Sequence, residues 1–227
     1  MYYDDINLIG QRSDILNISN LDTERQQLIL NSALKEFATQ GYDHASTNEI
    51  AKNAGISKAL MFHYIQNKET LFLYLIDYCK DKINTEYLEK MTFDEPDIFK
   101  RLQQSFLLQI DLMKEHPWIF DFNKLSVNTK SKHINSVIQK QLSNNDPLCF
   151  QKIFENTSET NFRKDLSVDR CKQLILSNVL GFSNQILEIL RVTEYANLDF
   201  NELIDSIILY FKDLRTIFCN TGDTYDV

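Results

Sequence analysis

"STNEIAKNAGISKALMFHYIQNKETLF", residues 46–72, decides the fold. Ser46 and Glu49 stand at capping-box spacing, and Ile50 and Ala54 share a helical face. Gly55 ends that element after about two turns. Ser57 opens a second short helix whose Met61 and Ile65 point inward, and Asn67 opens a third, longer one. Two very short helices, joined by a tight turn at Ala54-Gly55-Ile56, therefore sit between two long ones. That is the outline of a helix-turn-helix.

Working outward, "DTERQQLILNSALKEFATQGY" (22–42) is an amphipathic helix with Leu30, Ala33, Leu34, Phe37 and Ala38 on one face. Thr23 and Gln26 give it a capping-box spacing, and Gly41 stops it. After Asn67, "KETLFLYLIDYCKDKINTEYLEKM" reads as one helix to residue 91. Another helix follows Pro96, and a new one is expected to start at Pro117. Residues 129–157 read as one long helix or two, and 156–167 as a polar loop. Ser167 caps the next helix, and Asp199 with Glu202 the last. No strand-like alternation persists and no repeat is present. The expected fold is all-α, with about nine helices. A three-helix helix-turn-helix domain spans 22–69, a helical domain spans 70–227, and residues 1–21 form an N-terminal extension, read as a frayed tail in preference to a short docking helix of Ile15, Leu16, Ile18 and Leu21.

Composition narrows the class. The chain has 227 residues, 43% of them hydrophobic, with only five Gly and three Pro, as a helical globular protein requires. No apolar run approaches the roughly 18 residues of a membrane span, and the N-terminus carries acids where a signal peptide carries base, so the expected location is cytoplasmic, with no membrane partner. The four cysteines are far apart and form no C-x-x-C pair. His116 and His133 lack ligating neighbours at metal spacing. No metal or cofactor is expected. A nucleophile elbow, a Gly-rich phosphate loop and H-E-x-x-H are all missing, which argues against an enzyme.

The net charge is −8, yet no acidic residue occurs from Ala51 to Lys68. A helix that approaches DNA must shed carboxylates, since each would face phosphate at close range. Tyr64 and His63 can reach backbone oxygens, and Lys68, at a helix start, can meet a phosphate.

Residues 23–75, about a quarter of the chain, resemble the tetracycline-repressor-like (TetR) family of bacterial transcription regulators. The resemblance rests on "ALKEFATQGYDHAST", "NEIAKNAGISK", "FHY" and "NKETLF". It implies a dimer that binds double-stranded DNA at a palindromic operator and responds to a small ligand. It also implies that Ser46 and Thr47 cap toward phosphate and that Asn48 reaches a base edge or phosphate. Lys58, Ala59 and Leu60 would face the major groove, Lys58 reading guanine and Ala59 or Leu60 touching a thymine methyl. Many relatives carry Tyr where this chain has Phe62, which is expected to pack inward.

The resemblance implies two further sets of candidates in the remaining helices. Phe106, Ile110, Met113, Trp118, Phe122, Phe150 and Phe154 are candidates to line a pocket for a small apolar or aromatic ligand. Ser177, Gly181, Phe182, Ile186, Ile207, Phe211 and Leu214 are candidates for a four-helix homodimer interface. The competing expectation is an all-helical small-molecule carrier or adaptor with a vestigial helix-turn-helix.

Overall fold

The computed structural model describes residues 18, 21–123, 129–144, 152–159, 161–192 and 197–220, with the backbone alone for 140–144 and 191–192. Nine α-helices follow in order among these residues. They are α1 (Thr23–His44), α2 (Thr47–Asn53), α3 (Lys58–Tyr64), α4 (Lys68–Ile83), α5 (Ile98–Glu115), α6 (Ile119–Asn123), α7 (Lys132–Asn144), α8 (Val168–Val192) and α9 (Phe200–Phe218). A π-helical turn, Asn84–Leu88, extends α4, with the Glu89 N–H donating to the Asn84 carbonyl. The described residues contain no strand, only an isolated bridge between Phe162 and Cys219. None of their helices is long and apolar enough to cross a membrane.

The chain divides into two compact units. The first holds the described residues of 1–89 and 111–146, the second those of 90–110 and 147–227, so the chain passes from one unit to the other within α5.

In the first unit the core gathers Ile29, Leu30, Leu34 and Phe37 from α1, Met61 from α3, Leu71, Phe72 and Leu75 from α4, and Ile134 and Ile138 from α7. The Phe72 ring meets Phe37 edge-on at 5.0 Å and Phe122 of α6 at 5.3 Å. Ile18, expected in a frayed tail, is fully buried in this core, and the Leu21 N–H donates to its carbonyl. Asp22, not Thr23, caps α1, its carboxylate accepting from the Arg25 N–H. The helix kinks at Gly41, whose φ of 69° suits glycine alone, and a last turn carries the chain on to His44. The helix expected at Pro117 begins at Ile119.

His116 is buried where α5 ends. Its Nδ1 lies 3.4 Å from Asn31 Oδ1 and its Nε2 3.1 Å from Tyr78 Oη. Asn31 donates its amide to the Glu115 carbonyl at 2.9 Å, which turns its oxygen toward the imidazole. A neutral ring, donating from Nδ1 and accepting at Nε2, satisfies both neighbours. Burial holds the His116 pKa below the ordinary histidine value. Lys82 adds to that, and the exposed Glu115 carboxylate at 3.9 Å only partly opposes it. Above about pH 6.5 the imidazole is neutral in both folded and unfolded chains and contributes no pH dependence. As pH falls through that value the unfolded chain takes up a proton that the folded chain resists. Stability therefore drops, by at most about 1.4 kcal/mol per pH unit. Thermal unfolding from about pH 8 to about pH 5.5 should show a steeper loss in wild type than in His116→Gln. Equal losses would place the acid sensitivity elsewhere.

In the second unit α5, α8 and α9 bury Leu102, Phe106, Ile175, Val179, Ile207, Phe211 and Leu214. Asp199 caps α9, accepting from the Asn201 and Glu202 N–H groups, and Ser167 accepts from the Arg170 N–H at the start of α8. Asp97 pairs with Arg215, whose guanidinium lies over the Phe99 ring at 5.3 Å. Arg101 is fully buried, and its guanidinium donates to the main-chain carbonyls of Glu95, Lys152, Ile153, Glu155 and Asn156.

Candidate nucleic-acid interface and partner surfaces

Two local motifs build the turn between α2 and α3. The Gly55 N–H donates to the Lys52 carbonyl and the Ile56 N–H to the Ala51 carbonyl, with Gly55 at φ 68°. This pair of bonds is a Schellman motif, which satisfies the last carbonyls of α2 and needs a left-handed residue at Gly55. A side chain there would meet no atom within 4 Å, so the constraint is conformational and not steric. Ser46 caps α2 by accepting from the Glu49 N–H, Ser57 caps α3 by accepting from Leu60, and Asn67 caps α4 by accepting from Thr70. The expected reciprocal half of the capping box comes from a different residue. The Ser46 N–H donates to Glu36 of α1 at 2.8 Å, while Glu49 pairs with Lys52 at 3.6 Å. Glu36 thereby fixes the start of α2 against α1, and the one carboxylate of α2 has a cation beside it.

Lys68 is held inward. Its ammonium donates to the Asp43 carbonyl at 3.1 Å and the Ala45 carbonyl at 3.2 Å, and sits 4.9 Å from the centre of the Tyr42 ring. These carbonyls close the last turn of α1, where the helix dipole is negative. The ammonium thus ties the end of α1 to the start of α4, the two long helices that flank the short pair. Segment 129–133 meets the same region: the Lys130 N–H donates to Asp43 and His133 lies 3.8 Å from Glu69.

On α3, Met61 is buried and Leu60 and Tyr64 are half-buried, while Lys58, Ala59, Phe62 and His63 face solvent. His63 and Tyr64 meet edge-on at 5.6 Å. On α2, Asn48 is exposed and Ser46 and Thr47 are half-buried. The exposed face of α3 therefore carries no carboxylate. Phe62 departs from expectation: it stands 43% exposed one turn on from Lys58, instead of packing inward. The periodicity already contained this, since Met61 and Ile65 occupy the inward positions and leave residue 62 outside.

The geometry agrees with the likeness of residues 29–75 to the family model described as bacterial regulatory proteins, tetR family. The helix-turn-helix segment of this chain is similar to that family. It is 39% identical over 87 residues to the HTH-type transcriptional regulator YuxN of Bacillus subtilis, a stretch covering 38% of this chain and 30% of that relative. The fold resembles the ketosteroid transcriptional regulator KstR2 of Mycobacterium tuberculosis, with a TM-score of 0.53 and 16% identity over 88% of this chain and 97% of that one. It also resembles AibR, solved with isovaleryl coenzyme A and operator DNA, with a TM-score of 0.51 and 19% identity over 81% and 96% of the two chains. Among the described residues, no cluster of His, Cys, Asp and Glu could hold a metal ion.

The ligand candidates do not gather as one set. Phe122 is committed to the first unit's core beside Phe37 and Phe72, and Met113 and Trp118 also belong to that unit. Phe106, Ile110 and Phe154 belong to the second unit, and Phe150 lies outside the described residues. Phe106 stacks on Phe182 at 5.6 Å, Phe182 on Tyr210 at 3.8 Å, and Phe211 meets Phe106 edge-on at 5.3 Å. Tyr210 is absent from the sequence-based candidates, yet its Oη is buried with no hydrogen-bond partner among the described residues.

The dimer candidates also separate. Ile186, Ile207, Phe211 and Leu214 are buried within their own unit, Phe182 is half-buried, and Ser177 and Gly181 are exposed. Among the described residues, the large apolar side chains left on the outside of α8 and α9 are Leu180, Ile189, Ile208, Leu209 and Ile217, and of these the sequence placed only Ile208 on an apolar face. Helical spacing located both apolar faces but could not say which one the protein's own core would take.

Proposed function

We propose that the chain is a dimeric, sequence-specific DNA-binding regulator, a repressor released from a palindromic operator by a small apolar or aromatic ligand. The observation that carries this reading is the solvent-facing, carboxylate-free side of α3, held by three capped helix starts and the Gly55 turn. Duplex DNA is the partner such a face suits, because its phosphates repel acids at close range. In this reading Asn48, Lys58 and Ala59 meet DNA, with Ser46, Thr47, Leu60, His63 and Tyr64 around them. Such a regulator works in the cytoplasm, with the genome.

One recognition helix makes too few contacts for useful affinity, so a second copy is required, and the exposed apolar side chains of α8 and α9 are where it docks. The ligand reading is supported by the Phe106-Phe182-Tyr210-Phe211 cluster, where the Tyr210 hydroxyl, without a partner among the described residues, offers one polar attachment point. AibR, of similar fold, is solved with both an acyl coenzyme A and operator DNA.

A gel shift with the gene's own upstream DNA tests the reading. Salt-sensitive, palindrome-dependent retardation is expected, and its absence would favour the carrier reading. Lys58→Ala should relax preference at one base position. Lys68→Ala should lower the first unit's stability by about 1–3 kcal/mol, since the Asp43 and Ala45 carbonyls lose a charged donor, without changing base preference. Unchanged base preference in Lys58→Ala would remove the assigned site.

A further inference from the structure

We propose that Phe62 reads thymine, its ring seating against the 5-methyl group of one thymine in each half-site of the bound duplex. The inference rests on the DNA-binding reading and adds a specificity-determining residue to it. Among the described residues of the first unit, only Leu28 and Phe62 are large apolar side chains that stand exposed. The core does not need the Phe62 ring, because Met61 and Ile65 already fill the inward positions of α3. The ring shares the exposed side of that helix with Lys58, Ala59 and His63, and no carboxylate lies on it.

Charge selects the partner of this face, and chemistry then selects the atom. Phenylalanine has no hydroxyl, so it can neither donate to a phosphate nor read a base edge by hydrogen bonding. The apolar group that the major groove presents to a side chain is the thymine 5-methyl. An aromatic ring one helical turn after Lys58 is positioned to cover such a methyl beside the base that the lysine approaches.

The test begins with selection of bound duplexes from a random library by the full-length chain. Each thymine of the selected site is then replaced in turn by deoxyuridine, which removes only the 5-methyl. Wild type, Phe62→Ala and Phe62→Leu are titrated against each duplex. Wild type should lose affinity roughly three- to five-fold per half-site at one symmetric position. Phe62→Ala should be indifferent at that position, and Phe62→Leu should keep part of the discrimination. Two results would overturn the inference alone: a selected half-site without thymine, or a deoxyuridine penalty that is the same in wild type and Phe62→Ala. A wild-type chain that selects no duplex would overturn the DNA-binding reading as well.

Discussion

Arg101→Met is expected to destabilise the second unit by about 3–5 kcal/mol, read as a shift of the denaturant midpoint. The guanidinium is fully buried and donates to five main-chain carbonyls, four of them in residues 152–156. Its planar fork reaches several acceptors at once, and methionine reaches none. The substitution leaves those carbonyls away from water without donors, and that desolvation penalty is larger than the net value of the bonds themselves. Lysine should restore only a small part, since a single ammonium cannot span acceptors on both sides. A loss below about 1 kcal/mol would mean that water reaches these carbonyls once the fork is gone.

Leu209→Asp is expected to separate the two copies and lower DNA affinity roughly a hundredfold or more. Leu209 is 57% exposed near the middle of the solvent side of α9, with Ile208 and Ile217 toward its margins. A carboxylate there would be buried without a partner in a symmetric interface, once from each copy, and two buried like charges cost far more than the lost leucine contact. The monomer itself should be unharmed, because the side chain faces away from its own core. Light scattering should then show a monomer with a wild-type circular dichroism spectrum and weak, non-palindromic DNA binding. A variant that remains dimeric would move the interface away from this face of α9.

The helix-turn-helix was legible because its signals are local. Ser46, Ser57 and Asn67 cap the helices expected of them, and Gly55 turns where the chain must adopt positive φ. What could not be read depends on partners distant in sequence. Glu36 supplies the hydrogen bond that local spacing assigned to Glu49. The sequence left Lys68 pointing at phosphate, because nothing in its neighbourhood announces the carbonyls of Asp43 and Ala45. Arg101 was hidden for a related reason. It occupies the same inward face of α5 as Ile98 and Ser105, but a charged residue at a core register is normally read as an error of phase. On α8 and α9 the apolar pattern was correct in extent and ambiguous in direction, so Ile207, Phe211 and Leu214 were matched to a second copy while the core was using them.

Fluorescence anisotropy of a labelled selected duplex, combined with the mass of the complex, tests the central claim most directly. Two chains, or a multiple of two, should bind each palindrome. If each copy neutralises two or three phosphates, the logarithm of the binding constant should fall linearly with the logarithm of salt concentration, with a slope of about −4 to −5. Binding of a single chain, or binding that salt leaves unchanged, would contradict an account in which two carboxylate-free helix faces meet successive grooves of the same duplex.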